Sequence, residues 1–344
     1  MSDKVKTAHS IAQDCISNAP VIILGSGASA GFGIPGMPAL ASFLMDSDPP
    51  GLEAKDADLW AQFKTRLTSV DLETALTDIR LSESLTKHVV NRTWDLLNPA
   101  DMKVFERMLA NPDMFPLTRL YRHLFNSTHT VIDIVTPNYD RLAEYAADAG
   151  KYYHYTGFGL GHLRTRTIEH RPQVRYGQAP ARTINIWKVH GSFDWFRDSN
   201  GVVHGLPASG ARPSSLEPVI VTPGIEKYRL THDEPFLSIK SGADTALASA
   251  RAYFCIGYGF NDPHVQTKLV ERCRADHVPL VLITKKVSDT ARSFLTSGKC
   301  KRFLTIEEIP GGGSRLACAE FPNGVEVSSA NYWQLEQFLK MVIP

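Results

Sequence analysis

A chain of 344 residues can build one large domain or two ordinary ones, and 43% apolar with 21% charged residues is the balance of a globular protein. A formal charge of +1 exerts no global pull toward nucleic acid or membrane, so any direct nucleic-acid contact has to come from local charge. Five scattered cysteines (Cys15, Cys255, Cys273, Cys300, Cys318) with no Cys-x-x-Cys pair support neither a four-cysteine zinc site nor a disulfide framework, and with no secretory h-region or membrane-length apolar run the expected setting is reducing and cytoplasmic.

Val5, Ala8, Ile11, Ala12, Cys15 and Ile16 recur at helical spacing and predict an opening amphipathic helix that ends near Asn18. The β-branched run Val21-Ile22-Ile23-Leu24 then reads as a buried parallel strand. It delivers the chain into a turn carrying Gly25, Gly27, Gly31 and Gly33, with Ser26 and Ser29 between them. Glycine allows a tight turn and close approach to a ligand, and a helix beginning beyond it would aim unpaired N–H groups at a phosphate or pyrophosphate. The competing reading is a glycine turn that serves topology alone. Pro35 and Pro38 permit a helix from about Pro38.

From Asp46 to about Ser127 strand signal is absent, and successive segments carry i, i+3/i+4 apolar spacing, predicting a helical insertion with Trp60, Phe63, Trp94 and Phe105 as its core. Val131–Val135 is the next strand, running into Thr136-Pro137-Asn138-Tyr139-Asp140 with a helix from about Arg141. Lys151 to Arg182 is irregular and basic (Arg164, Arg166, His170, Arg171, Arg175, Arg182), read as a solvated loop or as a contact surface for a polyanion or acidic protein. Ile184–Val189 leads into His190-Gly191-Ser192, and Asn200-Gly201 predicts a β-hairpin. Val219–Val221, ending in Thr222-Pro223-Gly224, is a further short strand, followed by a helix over Pro235–Ala250 and a strand ending at Gly257. Leu280–Ile283 and Phe303–Ile306 complete the parallel set, before a hairpin turning at Asn323-Gly324 and a closing helix Tyr332–Met341. Strands alternating with helices predict an α/β fold with a doubly wound, Rossmann-like parallel sheet. Its expected parts are residues 1–45 and 128–310 as the dinucleotide-binding domain, 46–127 as the insertion and 311–344 as a C-terminal hairpin and helix.

Polar groups recur at strand ends: Ser26 and Ser29, Asn138 and Asp140, His190 and Ser192, Asn261 and Asp262. Parallel topology brings such loops to one sheet edge around a crevice. His190, with Gly191 leaving its ring space, is a candidate general base. Asn138 can orient by hydrogen bonds but not act as a base, and Asp140 can accept from a carboxamide N–H. The pair can equally form an Asx-type turn capping the next helix, and the two uses are compatible. The other histidines lack metal-ligand spacing, no Gly-Lys-Ser/Thr follows the glycine turn, and the acidic residues about twenty positions on, Asp46 and Asp48, lie in a Pro-bounded loop; a metalloprotease, a P-loop ATPase and an ordinary dehydrogenase are all disfavoured.

Taken together these loops resemble the sirtuin superfamily, in its bacterial sirtuin-like branch. The family's Gly-Ala-Gly-x-Ser and Gly-Ile-Pro elements resemble Gly25-Ser26-Gly27-Ala28-Ser29 and Gly33-Ile34-Pro35. Its Thr-Gln-Asn-Ile-Asp resembles Thr136-Pro137-Asn138-Tyr139-Asp140, its His-Gly-Ser matches His190-Gly191-Ser192, and its Gly-Thr-Ser-Leu is similar to Gly257-Tyr258-Gly259-Phe260, extended here by Asn261-Asp262. The departures are informative: Gly36-Met37-Pro38 stands where the deacylases have Asp-Phe-Arg, Gly259 replaces a cofactor-touching serine, and the zinc ribbon has no cysteines to form it.

The resemblance implies NAD as a substrate, held by Gly25, Ser26, Gly27, Ala28, Ser29, Gly33, Pro35, Asn138, Tyr139, Asp140, Gly257, Tyr258, Gly259, Asn261 and Asp262, with Asn138 and His190 catalytic and no metal. It implies pyrophosphate on the glycine turn, carboxamide at Asp140 and Tyr139, and a proton taken by His190 as the glycosidic bond breaks. The activity implied is NAD+ glycohydrolase, yielding nicotinamide and ADP-ribose as an effector of anti-phage defence. The alternatives are a deacylase, an ADP-ribosyltransferase, or a module that senses NAD or ADP-ribose without turnover. A homo-oligomer with a HerA-type hexameric ATPase partner is implied, with a short Argonaute as the second choice.

Overall fold

The structure, a computed structural model, describes residues 2–167, 173–222 and 233–343. Helix α1 (Asp3–Ser17) buries Val5, Ala8, Ala12, Cys15 and Ile16, the stripe its spacing predicts, and Ser2 caps it by accepting from the Val5 N–H. Strand β1 (Val21–Leu24) is buried throughout and leads directly into a short helix α2 (Ser26–Ala30), followed by α3 (Met37–Met45). The strand-free stretch is helical: α4 (Ala54–Leu67), α5 (Leu72–Asp78), the 28-residue α6 (Glu83–Ala110) and α7 (Pro116–Leu124).

Next come β2 (Val131–Thr136), α8 (Leu142–Ala149), β3 (Tyr153–Tyr155), the minor strands β4 (Arg175–Tyr176) and β5 (Ala179–Pro180), and β6 (Thr183–Lys188). Three strands then form a small antiparallel sheet: β7 (Gly191–Arg197) is its centre, with β8 (Val203–Gly205) and β9 (Glu217–Ile220) on either side. Asn200-Gly201 turns β7 into β8 as expected, and Asp198 Oδ1 accepts from the N–H groups of Asn200 and Val202. Helix α9 (Phe236–Ser249), β10 (Tyr253–Ile256), α10 (Pro263–Ala275), β11 (Leu280–Thr284), α11 (Asp289–Thr296) and β12 (Phe303–Glu308) alternate. The hairpin β13 (Ser314–Cys318) and β14 (Phe321–Val327) precedes α12 (Leu335–Val342).

The main sheet has nine strands in the order β14-β13-β12-β11-β10-β1-β2-β6-β3, parallel from β12 to β3 and antiparallel through the final hairpin. Helices cover both faces. Residues of α1, α7, α8 and α12 pack on one face, while α9, α10 and α11 pack on the other. The α/β class and the mostly parallel sheet therefore stand as read. The chain leaves β1 for β2 on one side and comes back to β10 on the other, so the turn after β1 lies at the point where the strand order reverses.

Several local expectations are corrected. The final hairpin turns at Ala319-Glu320, and Asn323-Gly324 lies within β14. Gly324 has φ +78° beside a register shift against β13, so its positive φ absorbs a bulge rather than a turn. Strand β9 joins the small antiparallel sheet, pairing with β7; Pro223 and Gly224 after it lie outside the described residues. Of the four aromatics expected to form the insertion's own core, only Trp60 and Phe63 do, packing with Leu40 and Leu44 of α3. Trp94 packs instead with Phe193 and Phe196 of β7, and Phe105 with Tyr145 of α8, because α6 is long enough to leave the insertion and lie along the sheet domain.

Candidate functional site

Strands β10, β1, β2 and β6 are consecutive in the sheet and parallel, so their carboxyl ends share one edge. At that edge the turns after β1 and β10 touch backbone to backbone. The Gly27 N–H donates to Gly257 O at 3.1 Å, a Cβ on Gly25 would stand 2.3 Å from that same oxygen, and one on Gly257 (φ +58°) would stand 2.3 Å from Ala28 N. Glycine is thus required twice over at Gly257, by conformation and by contact. Gly257→Ala is expected to destabilise the chain by about 2–4 kcal/mol, since left-handed strain adds to a backbone clash; a shift in the urea midpoint measures it, and a change below about 0.5 kcal/mol would contradict the packing described.

Beyond β2, the Thr136 hydroxyl donates to Leu24 O at 2.8 Å and accepts from the Asn138 N–H at 3.0 Å, fixing the start of the loop against β1. The Asn138 amide Nδ2 donates to Gly25 O at 3.0 Å and to Ser29 Oγ at 3.1 Å. The Ser29 hydroxyl in turn donates to Asp140 Oδ2 at 2.7 Å, and Asp140 Oδ1 accepts from the Leu142 N–H at 3.2 Å. The Asx-type turn is therefore present, and the same residues face the glycine turn. Burial pushes the Asp140 carboxyl up to about 6, against the pull of the buried Lys188 ammonium, which donates to the Asp140 carbonyl and to Glu144.

That shift has a sign. Folded Asp140 keeps its proton up to about pH 6, whereas an ordinary aspartate loses it near 3.8, so its contribution to stability is present at low pH and lost as pH rises between those values. Asp140→Asn, neutral throughout, should gain about 2–3 kcal/mol on the wild-type protein between pH 4 and pH 7. Urea unfolding at the two pH values checks this; a constant difference would place the Asp140 carboxyl back in its ordinary range.

His190 follows β6 and is 5% exposed, its Nε2 lying 3.0 Å from Asp262 Oδ2. Gly191 takes φ +89°, and a Cβ there would meet Val219 O at 2.1 Å, so the chain must be glycine where β7 presses against β9. Ser192 departs from the expectation that it shares the crevice. It is fully buried, with its hydroxyl donating to Asp194. Burial opposes ionisation of Asp194, but Arg164, Arg141 and Lys188 outweigh it and bring the carboxyl down to about 2.

A cavity of about 420 Å³ gathers Gly25, Ser26, Gly27, Ser29, Pro35, Asn138, Tyr139, Asp140, His190, Tyr258, Gly259, Asn261 and Asp262. A neighbouring cavity of about 750 Å³ lies across α2, is lined by Ala28 and Gly257, and shares Gly27, Ser29, Asn138 and Asp140. Gly33 lines neither; with φ +89° and nothing near its absent Cβ, it serves the turn into Pro35. Both volumes fall in the range of small-molecule sites. Met37, of the segment that departs from the deacylases, lines the first cavity, and the walls also include residues that the sequence did not single out: Leu40, Glu73, Leu97 and Phe193 in the first cavity, Arg107 and Trp333 in the second. A third cavity of about 410 Å³, between α6 and β9, holds none of the expected site residues.

Most described residues of the basic loop are exposed, as expected of a solvated surface, but two of its arginines turn inward. Arg164 bonds Asp194 and Leu206 O, and Arg166 pairs with Glu234 at 3.0 Å and lies over the Phe158 ring, so both charges are used internally. His170 and Arg171 lie outside the described residues. All five cysteines are buried, and no helix among the described residues is long and apolar enough to cross a membrane.

Residues 133–296 match the family model of the SIR2-like domain. The match spans β2 to α11, just under half of the chain, and contains Asn138, Asp140, His190 and the Gly257–Asp262 turn. No curated protein matches the chain. Among solved structures, a Sir2 enzyme studied for its mechanism and regulation is 14% identical with a TM-score of 0.42, covering 84% of this chain and 89% of its own. A serine-to-alanine mutant of a Sir2 homologue bound to ADP-ribose is 14% identical with a TM-score of 0.43, covering 85% and 88%. A Sir2 homologue in complex with NAD is 13% identical with a TM-score of 0.42, covering 88% of both.

Proposed function

We propose that the chain binds NAD+ at the carboxyl edge of the sheet and hydrolyses it to nicotinamide and ADP-ribose. The observation that carries this reading is the meeting of Ser29, Asn138, Asp140 and His190 in one cavity beside the glycine turn. The SIR2-like match over residues 133–296 supports it independently of the first turn, which the match does not include.

The geometry refines the roles. The Ser29 hydroxyl already donates to Asp140, and the N–H groups of Gly27 and Ala28 donate to Gly257 O and Gly25 O, so the pyrophosphate is assigned to the Ser26 N–H and hydroxyl at the start of α2. The Asn138 Nδ2 is anchored on Gly25 and Ser29, which leaves Oδ1 to accept from a water or ribose hydroxyl beneath the anomeric carbon. His190 accepts the proton of the attacking water as the C1′–N bond breaks, its electron pair leaving with nicotinamide as a neutral group. Orientation and electrostatics supply most of the acceleration.

Incubation with NAD+ should yield nicotinamide and ADP-ribose in equal amounts by chromatography. Intact NAD+ despite measurable binding would favour a sensing module, and deacetylation of an acetyl-lysine peptide a deacylase. A transferase would leave ADP-ribose attached to protein. The wider setting also belongs to this proposal and rests on the sequence resemblance: a cytoplasmic homo-oligomer acting in anti-phage defence beside a HerA-type ATPase. The division into a NAD-binding domain (1–45 and 128–310), an insertion (46–127) and a C-terminal unit (311–344) is proposed with it. The assay is therefore run on the native oligomer with its neighbouring gene products present.

A further inference from the structure

We infer that Asp262 is a positioning residue for His190, presenting its imidazole to the cavity in one tautomer and stabilising it once protonated. The inference rests on the hydrolase reading for its consequence but on geometry for its substance. Asp262 Oδ2 lies 3.0 Å from His190 Nε2, an ion-pair distance without the alignment of a hydrogen bond, both side chains are more than nine-tenths buried, and both line the 420 Å³ cavity. The two come from different strand ends, β6 and β10, so nothing local in the chain requires them to meet.

Asp262 also has a structural duty: its Oδ1 accepts from the His264 N–H at 2.9 Å and caps α10, while its carbonyl accepts from the Tyr258 hydroxyl at 3.3 Å. Capping occupies one carboxylate oxygen and leaves the other directed at the imidazole. A histidine whose Nε2 carries the proton facing a carboxylate has Nδ1 as its basic nitrogen. When Nδ1 takes a proton from the attacking water, both ring nitrogens carry hydrogen, and the positive charge stands beside the Asp262 carboxylate instead of in an unpaired buried site. No proton passes to Asp262. The other ionisable groups around His190 are His264, whose ring stands edge-on at 5.9 Å between centroids, and Glu73, Tyr139, Asp140 and Tyr258 on the cavity walls.

Asp262→Asn separates the two duties, because asparagine caps a helix as well as aspartate but carries no charge. The variant should keep the wild-type melting temperature within a few degrees and the wild-type KM for NAD+ within about twofold. Its kcat should fall by about 10²-fold or more, within the range general-base assistance contributes. The His190 ring nitrogens, followed by NMR in protein labelled at histidine, should show the proton held on Nε2 in the wild type and a loss of that preference in the variant. Wild-type kcat, or an unchanged tautomer signature, would overturn the inference. If the wild-type protein releases no nicotinamide, the hydrolase reading fails by itself, and the tautomer signature still decides whether Asp262 holds His190.

Discussion

His190→Ala is expected to remove nicotinamide release by about 10²–10⁴-fold while the protein stays folded. The ring is buried at a strand end between Val189 and Gly191, and truncation leaves Asp262 facing a void, so a stability cost of about 1–2 kcal/mol accompanies the loss of activity. That cost is a fraction of the 5–15 kcal/mol typical of a domain, and near-UV circular dichroism with an unchanged native mass separates chemistry from unfolding. Turnover within about threefold of wild type would remove His190 from the reaction.

Asp101→Ala should have the largest effect on stability, a loss of about 3–5 kcal/mol, as expected when one partner of a buried ion pair is removed. Asp101, in the middle of α6, is fully buried and accepts from the Arg141 N–H at 2.7 Å, from its guanidinium at 2.6 and 2.8 Å, and from the Tyr145 hydroxyl at 2.6 Å. Without it, among the described residues, an almost fully buried guanidinium keeps Asn98 Oδ1, at 2.8 Å, and the Met102 sulfur as polar partners. Arg141 directly follows Asp140, so the variant should lose NAD+ turnover as well as stability. A urea-measured loss below about 1 kcal/mol would show that α6 does not brace this loop.

The same helix reaches two further strand-end segments. The Trp94 indole donates to Phe193 O at 2.9 Å, beyond His190, and Arg107 donates to Phe32 O at 3.1 Å, beyond the glycine turn. Helix α6 thereby touches the segments after β1, β2 and β6 and acts as a strut behind the site.

The sheet was legible because parallel strands buried on both faces must be continuous apolar runs; Val21–Leu24 and Leu280–Ile283 are such runs, and Val131–Val135 is broken only by Asp133. The candidate site was legible because its polar residues sit directly at the ends of those runs, where topology alone makes them meet. The contacts of α6 were not legible. Its apolar spacing fits packing inside the insertion as well as packing on the sheet, and only tertiary docking decides where Trp94 and Phe105 go. Asp262 was visible as a strand-end residue, but its meeting with His190 links positions 72 residues apart. Asn323-Gly324 misled because a glycine with positive φ suits a bulge as well as a tight turn. Arg164 and Arg166 misled because cations in an irregular stretch give no sign of the buried Asp194 or of Glu234, which they serve.

The most direct test of the account is a crystal structure of the protein soaked with ADP-ribose. The account predicts pyrophosphate against the backbone at the Ser26 end of α2 and the terminal ribose within hydrogen-bond reach of Asn138, facing His190. ADP-ribose bound elsewhere, or ribose turned away from the imidazole with Asn138 and Asp140 untouched, would contradict it.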